Sequence, residues 1–392
     1  MNKFRIIAII LGLIFLPSMV NAQGKENFDP LIVGVPSLTI APDARGGGMG
    51  DVGAATDPDI FSQFWNPAKY AFAYSKAGVG LSYTPWLRSL VSDIDLAYLA
   101  GYYKLGDSDR SAIGASLRYF SIGEINLTGP DPMNSTPYGT TSPYEMAVDV
   151  SYSLKTTETF SIGAAFRFIY SDLGGGVEED FVPGSSFAAD LGGYWNNYVM
   201  LGRSEGLLGL GFSISNIGTK ISYDNNNTSN FIPTNLRIGG SLLYPLDDYN
   251  TISFNLDLNK YLVPSSPYTR EYDSEELRNK AIKEYNDMSP ITGIFKSFND
   301  ASGGMKEEFE EIMWSFGAEY AYDRKFFVRG GYFYESPNKG NRQYFSLGAG
   351  FKMNVFNLDV AYLISTVPSN PLDQTLRFSL SFDMDGLKNL LK

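Results

Sequence analysis

The stretch that decides the fold class is Met146-Ala147-Val148-Asp149-Val150-Ser151-Tyr152-Ser153-Leu154. Every even position in it carries an apolar side chain, and every odd position carries a small or polar one. Because successive side chains of a β-strand point to opposite faces, this stretch predicts a strand with one apolar and one polar face. The same period recurs around Leu256, Val360 and Phe378, so we expect most of the chain to form strands.

The types of residue on the two faces distinguish a membrane barrel from a soluble sandwich. A sandwich has a dry core and a solvated outside, whereas a barrel in lipid has an apolar outside and a polar lumen. The apolar face carries aromatic residues near the segment ends, as in the girdles of membrane barrels: Trp314, Tyr320, Tyr322, Tyr332, Tyr334 and Tyr362. The opposite face is small or charged: Gly114, Arg118, Asp149, Gly163, Arg167, Gly211, Arg237, Asp257, Glu319, Arg329, Asp359 and Arg377. The pattern therefore favours an all-β, transmembrane antiparallel β-barrel.

About fourteen such segments lie within residues 77–384, and the connectors between them alternate in length. Short turns on one side and long loops on the other are typical of bacterial outer-membrane barrels, with the short turns in the periplasm. We therefore predict an integral outer-membrane barrel of about 14 strands with extracellular loops and periplasmic termini. The segments are 77–87, 93–105, 110–123, 143–155, 158–170, 185–200, 207–222, 233–246, 250–262, 312–323, 325–336, 342–354, 356–366 and 374–384.

The first 22 residues have the features of a secretory signal peptide. Lys3 and Arg5 form a positive n-region, and the apolar stretch from Ile6 to Leu16 is too short to span a bilayer. Small residues then precede Gln23, which suits cleavage at that point. We expect residues 1–22 to be removed, and residues 385–392 to form a short tail beyond the last strand.

Residues 23–76 precede the first clear strand and contain two unusual runs. They are Gly46-Gly47-Gly48-Met49-Gly50-Asp51-Val52-Gly53 and Phe64-Trp65-Asn66-Pro67-Ala68. Gly48, Gly50 and Gly53 match the spacing of a dinucleotide fingerprint, but no strand–helix–strand unit surrounds them, so we expect no nucleotide or other cofactor. Glycines also allow tight turns and close approach of two backbones. We interpret residues 23–76 as a hatch folded inside the lumen.

Residues 263–311 form the longest connector. Residues 270–285 predict a helix with Asp273 or Ser274 as its N-cap, and residues 305–313 predict a second, acidic helical turn. Loops of this length are usually functional, so this one is either a solvated lid or a docking surface for another protein. The candidate partner-binding residues are Tyr272, Leu277, Tyr285, Phe295, Phe298 and Phe309.

Composition excludes several classes of function. The 392 residues include 31 Lys and Arg against 43 Asp and Glu, which gives a net charge of −12 and disfavours nucleic acid as a partner. The chain has no Cys and no His. It therefore lacks thiol nucleophiles, thiolate metal sites, and the commonest general base and metal ligand. We predict that the protein is not an enzyme and has no resident metal.

The run from Pro36 to Ala55, followed by Ser62 to Tyr70, resembles the opening of the PorV (LptO) family. That family consists of outer-membrane barrels of the type IX secretion system. The glycine-rich turn that leads to Asn66-Pro67-Ala68 is also similar to the wider FadL superfamily of fourteen-stranded barrels with an N-terminal hatch. The resemblance implies that residues 23–76 are the hatch and that Asn66, Pro67 and Ala68 lie inside it.

The resemblance further implies a non-enzymatic role in protein secretion. A PorV-like protein is expected to bind the C-terminal domain of secreted cargo at a large outer-membrane translocon barrel. It would then pass the cargo to a surface attachment complex that contains a sortase-like protease. The extracellular loops, including residues 263–311, would meet cargo and translocon, and outer-membrane lipid would surround the wall. The alternative is a FadL-type transporter of hydrophobic small molecules, which would need an apolar ligand pocket between hatch and wall.

Overall fold

The structure is a computed structural model. It describes residues 29–87, 91, 93–106, 109–128, 137–174, 182–202, 204–224, 228–270, 272–301, 303–353, 355–367 and 372–384. The predicted signal peptide (residues 1–22) and C-terminal tail (residues 385–392) lie outside the described residues.

Fourteen antiparallel strands close into a barrel, because β1 pairs with β16 as well as with β2. A closed ring leaves no strand edge unpaired. The predicted fold of about 14 strands is therefore confirmed. The strands are β1 (Ala77–Pro85), β2 (Asp95–Leu105), β3 (Ser111–Ser121), β4 (Ile125–Thr128), β5 (Pro137–Thr141), β6 (Tyr144–Lys155), β7 (Phe160–Asp172), β8 (Gly184–Leu201), β9 (Ser204–Gly218), β10 (Asn235–Pro245), β11 (Asn250–Tyr261), β12 (Met313–Tyr322), β13 (Phe326–Tyr334), β14 (Gln343–Met353), β15 (Phe356–Ser365) and β16 (Leu376–Asp383). The pair β4–β5 forms a separate hairpin within the connector that the sequence predicts as a loop.

The barrel wall has an apolar outside and a polar inside. In β6, Val150 is 59% exposed, whereas its neighbours Asp149 and Ser151 are both 4% exposed. Most of the predicted aromatic positions point outward, including Trp314, Tyr320 and Tyr322. The charged residues that we assigned to the other face are buried inside, except that Arg237 is half-buried, and this is the inversion expected of a barrel in lipid.

The connectors are short at one end of the barrel and long at the other. The short-turn end carries residues 106–110, 156–159, 202–203, 246–249, 323–325 and 354–355. Asp323 and Arg324 both have a φ of 52°, which matches the tight hairpin turn that fits the twist of two strands. The long-loop end carries residues 86–94, 122–143, 173–183, 219–234, 262–312, 335–342 and 366–375.

Residues 35–73, the lumenal segment, lie inside the barrel against the inner faces of the strands. The segment contains two short α-helices and two 3-10 helices: α1 (Ala44–Gly47), α2 (Ser62–Trp65), Pro36–Thr39 and Pro67–Phe72. It crosses the lumen from the long-loop end to the short-turn end, where β1 begins.

The described residues upstream of the lumenal segment lie at the long-loop end of the barrel. The backbone N–H of Asp29 donates to the carbonyl of Asn338, and that of Gly34 donates to the carbonyl of Phe231. Both acceptors lie in long loops. Residues 29–34 therefore lie at the long-loop end, and the segment crosses the lumen once before β1. The predicted periplasmic position of the two termini concerns residues outside the described range and stays a prediction.

The connector 262–312 forms three helices: α3 (Glu275–Asp287), α4 (Pro290–Lys296) and α5 (Met305–Glu310). Ser274 rather than Asp273 is the N-cap of α3, since its hydroxyl accepts from the backbone N–H of Leu277. At the other end of α3, the ammonium of Lys220 donates to the carbonyls of Tyr285 and Asn286 at 2.8 and 3.0 Å. The sequence predicts α3 and α5 but not α4. None of the helices in the described ranges has the length and apolar character to cross a membrane.

Candidate functional site

Asp43 joins the two short helices of the lumenal segment. Its carboxylate caps α1 by accepting from the backbone N–H of Gly46 at 2.8 Å, and it accepts from the indole N–H of Trp65 at 2.6 Å. Trp65 is 1% exposed and lies in a slot between Gly46 and Gly53, where an added Cβ would overlap its ring. The glycine-rich run and the run around Trp65 therefore form one packed unit.

Gly50 lies close to the backbone of the wall. Its φ is +72°, and an added Cβ would lie 2.7 Å from the backbone N and O of Tyr332. Gly48 has an ordinary φ of −72°, and its added Cβ would lie 3.0 Å from the Cα of Gly348. Gly50 thus needs both space and a left-handed backbone, whereas Gly48 needs only space.

The triplet Asn66-Pro67-Ala68 closes the short-turn half of the lumen. The Asn66 side chain accepts from the N–H of Ala68 at 3.1 Å and donates to the carbonyls of Ala54 and Gly193, both at 3.0 Å. Pro67 opens a 3-10 helix at a position that needs no backbone N–H. That helix is buried from Pro67 to Ala71, so it fills this part of the lumen.

Alternating charges connect the lumenal segment to the wall. Arg45 lies 2.8 Å from Asp59 and 3.4 Å from Glu319 of β12. Glu319 in turn lies 2.6 Å from Arg329 of β13, which also lies 2.6 Å from Asp359 of β15. Buried charges require partners of opposite sign, and this chain supplies them. The sequence indicates the inward charges of the strands but not that Arg45 is their partner.

Further polar bonds hold other parts of the lumenal segment. The carboxylate of Asp257 in β11 accepts from the N–H groups of Gly53 and Ala54 at 2.7 and 2.9 Å. Arg118 of β3 donates to the carbonyls of Ser37 and Ile40. These bonds could not be predicted from the sequence, because the partners of both charged side chains are backbone groups of the lumenal segment.

The two strands that close the barrel are both bonded to the lumenal segment. Ser82 of β1 donates to the carbonyl of Pro42 at 2.6 Å, and Ser379 of β16 accepts from the N–H of Ala44 at 2.8 Å. The two serine hydroxyls are 2.9 Å apart across the seam. The segment is therefore tied to both sides of the closure.

A polar cavity lies between the lumenal segment and the wall in the long-loop half of the lumen. Its volume available to the centres of water-sized molecules is about 30 Å³. Three arginines line it, Arg118, Arg167 and Arg237, together with Asp149 and several Ser and Asn side chains. Arg167 is bound by Asp149 and Asp190 at 2.7 and 2.9 Å. In the part of the chain that the structure describes, no acidic cluster is arranged to hold a metal ion.

At the long-loop end, the acidic residues of α5 face the barrel rim. Glu308 lies 3.1 Å from Lys260 and accepts from the N–H groups of Asp300 and Ala301. Glu307 lies 2.6 Å from Lys339, which also lies 3.7 Å from Asp29. The acidic side of α5 thus fixes this helix to the wall and to the start of the described chain.

Glu308 makes the position of α5 sensitive to pH. Burial acts to raise the pKa of Glu308, but the N–H groups of Ala301 and Asp300 and the ammonium of Lys260 outweigh it, so the pKa lies below the ordinary 4.5. A carboxyl group whose pKa falls on folding stabilises the fold above its unfolded pKa, and this contribution disappears as pH falls through the folded pKa. We expect α5 to lose protection from hydrogen exchange as the pH falls below 4.5, the ordinary pKa of the group.

The matched variant is Glu308→Gln, which keeps the size of the side chain but removes its charge. Charge-assisted hydrogen bonds contribute about 1.5–3 kcal/mol, so exchange in residues 300–311 should rise at pH 7 and should change less with acidification than in the unsubstituted protein. Equal protection of the two proteins at pH 7 would contradict the prediction.

A family model described as "Type IX secretion system protein PorV" matches residues 23–268, which span the lumenal segment and most of the wall. The chain belongs to the PorV family. This protein is therefore an integral outer-membrane component of type IX secretion. Its family gives the role in secretion, and its closed barrel agrees with the location. A comparison with curated proteins gave no match.

The solved structures found to be similar to this PorV-family chain have low sequence identity to it. The Pseudomonas putida toluene transporter TodX is 12% identical, with a TM-score of 0.50, over 86% of this chain and 96% of TodX. The Ralstonia pickettii toluene transporter TbuX is 16% identical, with a TM-score of 0.44, over 88% and 96%. A Pseudomonas aeruginosa FadL homologue is 13% identical, with a TM-score of 0.42, over 88% and 99%.

The structure brings the predicted hatch residues of this PorV-family protein together but not the predicted partner-binding residues. Gly48, Gly50, Gly53 and Asn66-Pro67-Ala68 all lie in the lumenal segment. The six loop residues are spread over α3, α4, α5 and their flanks: Leu277, Phe295, Phe298 and Phe309 are exposed, Tyr272 is half-buried and Tyr285 is buried. Tyr285 packs against Phe231, with ring centroids 5.1 Å apart, so we correct its assignment: it stabilises the loop and presents no free surface.

Proposed function

We propose that this protein is a non-enzymatic shuttle of type IX secretion. It binds the C-terminal domain of secreted cargo at the translocon barrel and passes the cargo to a surface attachment complex with a sortase-like protease. The observation that carries the proposal is the PorV family match over residues 23–268. In this proposal the lumenal segment is the hatch and the long-loop end faces the cell exterior.

The filled lumen supports binding at the barrel end rather than passage of cargo through the barrel. Trp65, Lys69 and Tyr70 are buried in it, and the ion pairs from Arg45 to Asp359 cross it. A folded domain could enter only if this whole network were broken. The long loops, with their helices, are then the surface on which cargo and translocon would meet the protein.

The polarity of this cavity argues against its use as the ligand site of a FadL-type transporter. Pockets for hydrophobic ligands are lined mostly by apolar and aromatic side chains with few polar groups. Here Arg118, Arg167 and Arg237 line the cavity, and Arg237 has its guanidinium 4.6 Å from the ring of Trp65. Moving a hydrocarbon into this space would desolvate charged groups without offering them partners.

The state of the lumenal charges supports a non-enzymatic role. Arg167, Arg329 and Arg377 each have a carboxylate partner. Groups engaged in this way hold the structure together and offer no unoccupied nucleophile and base.

Photo-crosslinking at one position on each barrel end tests the proposal. A photoreactive residue replaces Leu277, which is 51% exposed on α3, or Tyr249, which is 61% exposed in a short turn. We expect crosslinks from position 277 to cargo C-terminal domains or to a very large barrel, and none from position 249. Mild-detergent purification with mass spectrometry identifies the products.

Two outcomes would overturn the proposal. One is cargo secretion and surface attachment that persist after the gene is deleted. The other is a purified barrel that carries only a bound hydrophobic compound and gives no protein crosslink from position 277. That second result would support the transporter.

A further inference from the structure

Helices α4 and α5 carry their apolar residues on the outside. On α4, Ile291 and Phe295 are four residues apart and are 55% and 75% exposed, and Phe298, two residues beyond the end of the helix, is 48% exposed. On α5, Met305 and Phe309 are four residues apart and are 65% and 64% exposed. These five residues are the apolar face. A soluble protein rarely exposes so many large apolar residues within one loop.

The acidic residues of α5 bond to the barrel rim, whereas its large apolar residues are exposed. Glu307 and Glu308 bond to Lys339 and Lys260 at the barrel rim, and Glu310 accepts from the side chain of Asn338. A helix on a soluble protein buries its apolar side and exposes its charged side. Helix α5 does the reverse, as the strands of the barrel do, so its outer face suits an apolar phase.

The contrast with α3 shows that this inversion is local. Most of the exposed positions of α3 are charged or polar, and Leu277 is its exposed large apolar residue. Helix α3 is therefore a solvated helix in the same loop. It provides an internal reference for α4 and α5.

The apolar face is continuous along the chain with the lipid-facing wall. Phe309 is followed five residues later by Trp314, which is 48% exposed on the outside of β12 and pairs with Tyr334 of β13. Five residues span at most about 17 Å, so α5 lies close to the aromatic end of the wall. Lys296 and Lys306 are exposed beside the apolar residues, and such lysines are favoured next to anionic headgroups.

We propose that α4 and α5 lie in the membrane leaflet at the long-loop end, with the apolar face at the boundary of headgroups and acyl chains. In the orientation proposed above this is the outer leaflet, and Lys296 and Lys306 bind lipid A phosphates. Helices α4 and α5, which we call the shelf, thereby extend the lipid-bound surface of the barrel on one side. The inference needs the outer-membrane location and orientation but not cargo binding, so either can fail alone.

Spin labels at single cysteines test the depth of the helices, because the chain has no cysteine of its own. The variants are F295C and F309C on the shelf, with L277C as the solvated control and V150C as the lipid-facing control. Each full-length protein is placed in phosphatidylethanolamine vesicles with or without lipid A. Collision with oxygen, which concentrates in lipid, is compared with collision with a water-soluble nickel chelate.

We expect F295C and F309C to lose accessibility to the chelate and gain accessibility to oxygen, as V150C does, while L277C shows the opposite. Adding lipid A should deepen both shelf labels, and this shift should vanish in the double variant K296Q/K306Q. Shelf labels that behave like L277C would overturn the proposal. Shelf labels shielded from both reagents would also overturn it, since they would mean that a protein or a second copy covers the face.

Discussion

Gly50→Val is expected to dislodge the lumenal segment and to lower the free energy of unfolding by about 2–5 kcal/mol. The φ of Gly50 is +72°, a backbone conformation that a β-branched residue adopts only with strain. The new Cβ would also lie 2.7 Å from the backbone of Tyr332 and 2.9 Å from the carbonyl of Phe316. Both neighbours belong to paired strands, so neither can move away cheaply.

Gly202→Val is the matched control for Gly50→Val. Gly202 has the same φ of +72°, but nothing lies within 4 Å of its added Cβ. It should therefore show the backbone strain alone, about 1–2 kcal/mol. Folded and unfolded barrels migrate differently on gels without boiling, which gives the fraction folded against urea concentration. Equal urea midpoints for the two variants would show that the lumenal segment does not press on the wall at Gly50.

Arg329→Met is expected to lower the free energy of unfolding by about 3–5 kcal/mol. Arg329 is 3% exposed and lies 2.6 Å from both Glu319 and Asp359. Removing it leaves Asp359 buried without this partner and leaves Glu319 with the longer contact to Arg45 at 3.4 Å. A buried charge that has lost its partner costs more than the pair itself contributes. The same urea titration on gels measures the effect.

Two further variants distinguish burial from simple loss of an ion pair. Lys325→Met breaks the ion pair between Lys325 and Asp323, whose side chains are 57% and 42% exposed, respectively. It should lower the free energy of unfolding by at most about 1 kcal/mol. Adding Glu319→Gln and Asp359→Asn to Arg329→Met should recover part of the loss, because no unpaired carboxylate remains. If Arg329→Met lowered the free energy of unfolding no more than Lys325→Met does, the prediction would be wrong, and water in the lumen would have to screen these charges.

The wall was predictable from the sequence because strand periodicity is local. The alternation around Val150 shows which residues face lipid, and the polar residues between them face the lumen. The hairpin β4–β5 and the helix α4 were not predicted, since short elements in a long connector lack a repeating pattern. Tyr285 was misassigned because an aromatic residue in a loop sequence does not show whether a neighbour such as Phe231 covers it.

The contacts of the lumenal segment could not be predicted, because its partners are distant in the sequence. Arg45 and Glu319 are 274 residues apart, and Arg377 and Asp51 are 326 apart. Nothing local in either stretch identifies the other. The direction in which the segment crosses the lumen could not be predicted either, since glycine content indicates close packing but not the end of the lumen at which the chain enters.

The bonds from Pro42 and Ala44 to the serines of β1 and β16 have a consequence for the order of assembly. A ring that has already closed around an empty lumen would have to be threaded by a chain that enters at one end and leaves at the other. If the lumenal segment instead settles on the nascent sheet first, it carries one attachment point for each strand of the final pair. It then brings together strands that are nearly 300 residues apart, and lowers the entropic cost of their meeting. In this order of assembly, the lumenal segment is the template on which β1 and β16 are joined.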